Sequence, residues 1–264
     1  MLRSLANQKT GIVISDDKFD MFYSRLSRRV RLLGMRSFRE YCDLLKKDPT
    51  HKETTEFVNA ITTNLTSFFR EMHHFSYLKD VVIPELLTKN KAEKKIRIWS
   101  AGCSTGEEPY SIAMTVNEAM AGERGWDVRI LATDIDSNVL EKASQGVYPM
   151  ERISGIPKAT LKRHFMKGKG KNAGFVRLKP EIRSRVSFGQ LNLMENWSMD
   201  EQLDIIFCRN VIIYFDKETK ARLVDRYADN LRQKGYLFIG HSESLYQATT
   251  RFRLIGNTIY QKES

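Results

Sequence analysis

The 264-residue chain has few cysteines and no long apolar run. A membrane-spanning helix needs roughly 18 consecutive apolar residues, and no such stretch occurs, so we expect no membrane insertion. The opening segment MLRSLANQKTGIVIS has neither a continuous apolar core nor a small-residue cleavage site, which argues against a signal peptide. The three cysteines (Cys42, Cys103 and Cys208) are far apart and odd in number, which favours reduced thiols over disulfides. These absences predict a cytoplasmic protein.

Acidic residues are under-represented, and the basic residues that outnumber them are clustered. The net charge is +11 and the isoelectric point is about 9.5. Six arginines and no acidic residue lie between Arg25 and Arg39, and ten lysines or arginines lie between Lys158 and Arg185 beside a single acid, Glu181. This clustering favours a polyanionic partner such as nucleic acid, anionic lipid or an acidic protein surface. A basic globular protein without such a partner is the alternative.

The first third of the chain is predicted to be helical. Apolar residues recur at steps of three and four from Phe19 to Leu33, and Gly34 ends this amphipathic pattern. Two Ser/Thr-x-x-Glu pairs, at residues 37–40 and 50–53, predict capping boxes for the next two helices. A fourth helical pattern covers HHFSYLKDVVIPELL, and no strand pattern precedes residue 95. We therefore predict a small helical domain over residues 1–88.

From Ile96 onward, short apolar runs alternate with helical patterns. This alternation predicts an α/β domain over residues 89–264, in which helices cover both faces of a mostly parallel sheet. Residues 160–185 interrupt the alternation with two short strand-like runs around a glycine loop, GKGKNAG. We interpret them as a small β subdomain inserted into the larger domain.

The segment GCSTG, which follows the first predicted strand, allows two interpretations. It fits the G-x-S-x-G pattern of a serine hydrolase, with Ser104 as nucleophile, Asp204 or Asp216 as the acid and His241 as the base. Against this, Glu107 and Glu108 follow directly, and carboxylates at a helix N-terminus oppose an oxyanion. The hydrolase interpretation is therefore disfavoured.

As a nucleotide-binding turn, the same segment lacks the features that bind phosphate. It has two glycines rather than three, and no Lys-Ser/Thr pair follows. Asp134 ends the second predicted strand, where an acid binds a ribose diol, although Asp134 or Asp136 could equally cap the next helix. A nucleoside cofactor without phosphates is favoured, and S-adenosylmethionine is the common one.

Polar groups also follow the later strands. Asn192 follows one strand, and Arg209 and Asn210 follow another, with Tyr214 shortly afterwards. Because ligands bind at the carboxyl ends of parallel strands, these side chains are expected to face one cleft. The segment ITTNLTSFFRE is either part of that cleft or packing between domains. The adjacent His73 and His74 lack metal-site spacing, so the sequence predicts no metal.

Five motifs, in this order along the chain, resemble those of the CheR-type chemotaxis receptor methyltransferases. They are TTNLTSFFRE, WSAGCSTGEEPYS, TDIDSNVLEKA, FCRNVIIYFD and GHSES, within a resemblance covering roughly residues 18–260. The resemblance implies methyl transfer from S-adenosylmethionine to glutamate side chains on chemoreceptor signalling helices, by an enzyme recruited to membrane receptor arrays. It also implies a helical N-terminal domain before a Rossmann-like methyltransferase domain with a β subdomain.

Residue by residue, the resemblance implies three sites. Arg70 and Tyr214 match the proposed catalytic pair. The cofactor site would comprise Asn64, Thr66, Arg70, Glu108, Asp134, Asn192, Leu193, Arg209 and Asn210. The loop glycines Gly168, Gly170 and Gly174, with Arg177, match members that bind a receptor's C-terminal pentapeptide. The basic residues Arg25, Arg28, Arg29 and Arg31 are expected to meet the acidic receptor helices. We expect a monomer.

Two other functions compete with this interpretation. A nucleic-acid methyltransferase would explain the charge, but the sequence lacks a D-P-P-Y-type motif where RNVI stands and lacks a basic, aromatic-rich stripe. A noncatalytic adaptor would keep the fold, but the segments FFRE and RNVIIYF are intact.

Overall fold

Four helices form the N-terminal domain in the computed structural model, which describes residues 1–263. They are α1 (Leu2–Thr10), α2 (Phe19–Leu32), α3 (Phe38–Lys46) and α4 (Lys52–Ile61). Helix α2 buries Phe22, Leu26 and Val30, as the apolar spacing predicts. These side chains pack with Tyr41 and Phe57 in a core that belongs to this domain.

Of the two predicted capping boxes, one forms in part and the other does not form. Ser37 Oγ accepts the backbone N–H of Glu40 at 3.2 Å, and α3 begins directly after it, but the Glu40 side chain accepts the N–H of Arg36 at 3.1 Å rather than that of Ser37. The predicted box at residues 50–53 is wrong. Helix α4 begins at Lys52, and Glu53 instead accepts hydrogen bonds from Arg29 and Tyr41 inside the domain. A buried tertiary ion pair therefore replaces the local cap.

The next helical stretch packs on the other domain. Helices α5 (Met72–Tyr77) and α6 (Ile83–Lys89) are joined by a π-helical turn, Leu78–Val82. Apolar residues along this stretch, among them Phe75 and Leu86, share a core with the main sheet. The packing thus differs from the sequence-based division at residue 88. Helical periodicity identifies these helices, but it does not say which neighbour their apolar face contacts.

The second domain is built on a seven-stranded sheet. Its strands are β1 (Lys95–Ala101), β2 (Asp127–Asp134), β6 (Val186–Gln190), β7 (Leu203–Cys208), β8 (Leu231–Ile239), β9 (Phe252–Gly256) and β10 (Ile259–Lys262). Their order is β6-β2-β1-β7-β8-β10-β9. The first five strands in this order are parallel, and β10 and β9 close the sheet as an antiparallel hairpin.

Helices cover both faces of this sheet, as the α/β alternation predicts. They include α7 (Glu107–Ala119), α8 (Ser137–Gln145) and α11 (Lys217–Asn230). Alternate residues of β1 point to opposite faces, so Ile98 packs on the side of α7 and Trp99 packs on the side of α11 with Tyr227. The carboxyl ends of the parallel strands therefore form one open edge. None of the helices in residues 1–263 combines the length and apolar character that a membrane crossing requires.

The predicted β subdomain is present but larger than predicted. Its strands are β3 (Val147–Pro149), β4 (Phe165–Lys167) and β5 (Phe175–Leu178), in the antiparallel order β3-β5-β4. Two short helices, α9 (Lys158–His164) and α10 (Pro180–Arg183), accompany them. The range predicted from the sequence, 160–185, includes β4 and β5 but not the three-residue β3, which is too short to show a periodicity.

Candidate active site

One cleft lies at the carboxyl edge of the sheet, against the helical domain. Every residue that the sequence assigned to the cofactor or to catalysis lines it: Asn64, Thr66, Arg70, Glu108, Asp134, Asn192, Leu193, Arg209, Asn210 and Tyr214. The helical domain contributes a wall of its own through Ile12, Val13 and Lys18. The cleft is thus completed by both domains of a single chain.

The GCSTG turn forms the floor of this cleft. Gly102 has a φ of 86°, and a Cβ atom there would lie 2.4 Å from Val211 Cγ2. Only glycine fits at this position, because both the backbone conformation and the space exclude a side chain. Ser104, also at positive φ, donates its N–H to Asp134 at 2.7 Å and its Oγ–H to the backbone oxygen of Asn64 at 3.0 Å.

The arrangement around Ser104 does not form a hydrolase triad. Asp204 accepts the backbone N–H of Arg97 at 2.8 Å, near the opposite end of β7. Asp216 caps α11, and the exposed His241 donates its backbone N–H to Glu71. Within the part of the chain that the structure describes, the serine hydroxyl has a backbone carbonyl as its partner and no base.

Asp134 and Asp136 make different contacts: Asp136 caps the next helix, and the binding of a ribose diol by Asp134 stays a prediction. Asp136 Oδ1 caps α8 by accepting the N–H of Asn138 at 2.9 Å. Asp134 accepts the N–H groups of Ser104 and Asp136, one on each oxygen. Burial raises the pKa of Asp134, against the effect of these hydrogen bonds. Since each carboxylate oxygen has a second lone pair, Asp134 can still accept hydroxyl groups from a ligand in the cleft.

Three charged side chains, Glu71, Glu108 and Arg209, form a largely buried network at the cleft wall. Glu108 accepts the hydroxyl of Ser100 at 2.7 Å and lies 3.3 Å from Arg209 Nη1. Arg209 Nη2 lies 3.2 Å from Glu71 and also donates to the backbone oxygen of Arg70. Burial raises the pKa of Glu108, although Arg209 opposes the shift. The network links the first turn of α7 to the segment that carries Arg70.

Glu243 does not line the cleft, but it holds the backbone of Asn210, which does, a role that was not predicted from the sequence. Its buried carboxylate accepts backbone N–H groups from Asn210 at 2.8 Å, Ile213 at 3.1 Å and Gly240. Asn210 itself has a φ of 59°, so this carboxylate holds an unusual turn after β7. In the sequence, Glu243 is the acid of the GHSES motif, shortly after a predicted strand. That position is the one feature that could have indicated its role.

The proposed catalytic residues lie on constrained backbone. Arg70 Nη1 donates to the backbone oxygen of Leu65 at 3.0 Å, and the residues on either side of Arg70, Phe69 and Glu71, both have positive φ. Tyr214 accepts the backbone N–H of Val13 at 2.8 Å through its carbonyl. Two segments distant in sequence are therefore held in defined positions beside the cleft.

The segment ITTNLTSFFRE lines the cleft and also packs between domains, so both interpretations of it apply. Its Asn64, Thr66 and Arg70 line the cleft, while Phe68 packs against Tyr148 and Phe165 of the β subdomain, with ring centroids 4.9 Å and 5.6 Å away. The segment is therefore both a wall of the cleft and a packing element between domains.

The two asparagine side chains Asn64 and Asn192, both predicted cofactor ligands, donate hydrogen bonds to the protein. Asn64 Nδ2 donates to Asp136 Oδ2 at 2.7 Å. Asn192 Nδ2 donates to the backbone oxygen of Lys9 at 2.7 Å, and this contact fixes the end of α1 against the second domain. Both side chains border the cleft and hold its walls together; their direct contact with a cofactor stays a prediction.

The four arginines of α2 divide into two pairs. Arg25 donates to the backbone oxygen of Thr62 and lines the cleft, and Arg29 is paired with Glu53. Arg28 and Arg31 are exposed. The helix periodicity placed all four on one polar side, but it could not show that α4 lies along part of that side.

The glycine loop of the β subdomain forms a tight turn between β4 and β5. Gly170 and Gly174 have positive φ, and a Cβ at Gly168 would lie 2.1 Å from the backbone oxygen of Asn172. Arg177 is exposed on β5, the middle strand, opposite Val147 on one side and Met166 on the other. An added peptide strand would therefore have to pair with β3 or β4 rather than with β5 itself.

Comparison with known proteins identifies the family. The model of the CheR methyltransferase all-alpha domain matches residues 1–62, and that of the CheR methyltransferase SAM-binding domain matches residues 64–261. The chain is 49% identical over 252 residues to chemotaxis protein methyltransferase 2 of Pseudomonas aeruginosa, covering 95% of this chain and 88% of that protein.

Two further relatives agree with this match. The chain is 43% identical to the chemotaxis protein methyltransferase of Klebsiella aerogenes, covering 98% of this chain and 87% of that one. It is 42% identical to that of Escherichia coli, covering 98% and 88%. The chain therefore belongs to the CheR methyltransferase family, and its cofactor is S-adenosylmethionine.

Proposed function

We propose that this protein methylates glutamate side chains of chemoreceptors, forming glutamyl methyl esters during chemotactic adaptation. The observation that carries the proposal is the single cleft in which Glu108 and Asp134 face the same space as Arg70 and Tyr214. Family membership supports the reaction class, and the names of the relatives support the biological process.

The cleft suits S-adenosylmethionine better than a phosphorylated cofactor. In the first turn of α7, Glu108 lines the cleft, where its carboxylate repels phosphate but attracts an ammonium or sulfonium group, whereas Glu107 is buried and paired with Arg152. Asp134 has free lone pairs for hydroxyl groups. We therefore assign Glu108 and Asp134 to hold the polar parts of the cofactor.

The bound cofactor supplies an electrophilic methyl group on a sulfonium. A glutamate carboxylate has an ordinary pKa of about 4.3 and is already the nucleophile near neutral pH, so no general base is needed. The protein's contribution is orientation, which can supply several kcal/mol. The planar guanidinium of Arg70 is suited to holding a carboxylate through two N–H groups, and the Tyr214 hydroxyl can donate to the same group.

Receptor recognition is assigned to two exposed surfaces. Arg28 and Arg31 of α2 form a basic surface suited to acidic receptor helices. The edge strands of the β subdomain, beside the loop of Gly168, are suited to pairing with an extended receptor tail. Binding through either surface would recruit the protein to the receptor arrays. One chain lines the whole cleft and needs no second copy for it, so we assign a monomer.

The test is a labelling experiment with three acceptors. The protein is incubated with methyl-labelled S-adenosylmethionine and a chemoreceptor cytoplasmic fragment, RNA, or no acceptor. Label on the receptor that hydroxide releases as methanol supports the proposal, because methyl esters are base-labile. Hydroxide-stable label on RNA would favour a nucleic-acid methyltransferase, and no label on any acceptor would favour a noncatalytic adaptor; either result contradicts the proposal.

A further inference from the structure

A cluster of metal-ligand side chains lies beside the buried charge network. Glu71, His73 and His74 each offer one ligand atom, and these atoms lie within 4.8 Å of one another. In residues 1–263, His73 Nε2 and His74 Nδ1 are buried and have no hydrogen-bond partner, whereas Glu71 Oε2 lies 3.2 Å from Arg209 Nη2. Buried polar atoms in folded proteins normally have a partner, so this convergence requires an explanation.

The surroundings of His74 determine its tautomer. Its Nε2 lies 3.0 Å from the backbone oxygen of Asn257 and 3.1 Å from the hydroxyl of Thr258. A carbonyl can only accept, and the Thr258 hydroxyl donates to that same carbonyl at 2.8 Å. Nε2 must therefore carry the proton, and in the neutral ring Nδ1 is left with a lone pair.

This lone pair faces another acceptor. His74 Nδ1 lies 3.5 Å from Glu71 Oε2, and both atoms are buried. With Nε2 carrying the proton, the neutral ring and the carboxylate place two acceptors together, an arrangement that a bound cation would turn into a favourable one.

The geometry points to a zinc site formed by Glu71, His73 and His74, distinct from the methyl-transfer cleft. Two His and one Glu are a set that Zn²⁺ binds, with bonds of about 2.0–2.2 Å. Ligands of a tetrahedral ion with such bonds are separated by about 3.4 Å, close to the 3.5 Å between Glu71 and His74. The fourth position is left to water.

The charges near this site are compatible with a divalent ion. Arg209 lies 3.2 Å from Glu71 and repels a cation, but Glu108 lies 3.3 Å from the same guanidinium and offsets its charge. The ion would cross-link Glu71, which has a φ of 57°, to the first turn of α5. It would thereby stabilise the turn that follows Arg70.

Two adjacent histidines do not by themselves predict a metal site. The fold adds the third ligand, because it brings the carboxylate of Glu71 next to both rings. The left-handed conformation at Glu71 turns its carboxylate back toward the two rings. The prediction of no metal rested on the spacing of His73 and His74 and did not consider Glu71.

The test measures zinc binding by the full-length chain without a histidine tag. After chelator treatment and dialysis, the protein is titrated with Zn²⁺ in competition with a chromophoric chelator. We expect one ion per chain and a higher melting temperature with zinc than without it. His73→Ala and Glu71→Gln should weaken binding by more than the roughly 10–100-fold that loss of an outer-shell partner costs.

Two controls keep this test decisive. His51→Asn removes an exposed histidine in the other domain and should leave zinc binding unchanged. Circular dichroism and binding of S-adenosylhomocysteine show whether the His73→Ala protein is folded. Failure of the wild-type chain to bind one equivalent of zinc, or equal binding by wild type and His73→Ala, would overturn the proposal; methylation activity does not enter either result.

Discussion

Ser104 and Glu108 lie four residues apart around one turn, and their surroundings assign them different roles. Ser104 uses its hydroxyl to hold the backbone of Asn64, whereas Glu108 combines a hydrogen bond from Ser100 with the charge of Arg209. The sequence pattern that draws attention to the serine is therefore less informative than the acid that follows it.

Substitution at these two positions should separate the roles. Ser104→Ala loses one neutral hydrogen bond, so we expect affinity for S-adenosylhomocysteine to change by no more than about tenfold. Glu108→Gln removes a charge that the cofactor would need and leaves Arg209 with Glu71 as its one carboxylate partner, so we expect affinity to fall by about 10–100-fold. Isothermal titration calorimetry measures both; the reverse order of effects would reopen the question of a serine nucleophile.

Arg70 and Tyr214 are expected to affect turnover more than folding. Both lie at the cleft surface rather than in a core, so Arg70→Ala and Tyr214→Phe should change the melting temperature little. Loss of orientation should lower kcat by about 100-fold for Arg70→Ala, and loss of one hydrogen bond by about tenfold for Tyr214→Phe. Steady-state methylation assays check this, and wild-type turnover would remove either residue from the catalytic assignment.

Glu243 should matter for the stability of the turn after β7. Glu243→Ala leaves the N–H groups of Asn210, Ile213 and Gly240 without their buried acceptor, and each unpaired group costs about 1–3 kcal/mol. We expect urea unfolding to show a loss of at least about 2 kcal/mol. Glu243→Gln, which keeps one carbonyl oxygen, should lose less; an unchanged Glu243→Ala protein would show that water replaces the carboxylate.

At the scale of elements, the sequence predicts most of the helices and strands but not all of their partners. The period of 3.6 identifies α2 because this helix buries one face, and short apolar runs identify the parallel strands because both of their faces are buried. The sequence does not predict helix α1 or strand β3. The nine residues of α1 are weakly patterned and β3 has three residues, so neither shows a clear periodicity. Contacts between elements, such as that of Arg29 with Glu53, are not encoded in local spacing.

The same limit applies to the candidate site. Strand-end polar residues and motif resemblance bring together the residues that line the cleft. They do not show which of these groups contact protein: Asn192 holds Lys9, and Arg25 holds the end of α4. Such hydrogen bonds join residues far apart in sequence, so only the fold shows them.

The exposed part of α2 yields a prediction about receptor binding. Reversing Arg28 and Arg31 to Glu should raise KM for a receptor fragment by roughly three- to tenfold at low salt, because exposed ion pairs contribute up to about 1 kcal/mol each. The effect should shrink as salt is added. Reversing the exposed Lys91 and Lys142 gives the same change in net charge and should leave KM unchanged. Equal effects in both double variants would indicate bulk charge rather than a surface.

At the scale of the whole molecule, the two domains form one site. Thr62 of the helical domain donates to Asp136 at 2.7 Å, and Asn59 contacts Ser137, so the end of α4 is fixed to the start of α8. Val13 donates to Tyr214 across the cleft. These contacts explain why the helical domain and the sheet domain line the same cleft.

The central claim is that this shared cleft transfers methyl groups to glutamate side chains of a chemoreceptor. Its most direct test is tandem mass spectrometry of a receptor cytoplasmic fragment after incubation with the protein and S-adenosylmethionine. We expect one added methyl group on individual glutamate side chains, removed by mild hydroxide and strongly reduced with Tyr214→Phe. Methylation confined to another residue type, or an unmodified receptor fragment beside active wild-type protein, would contradict the account.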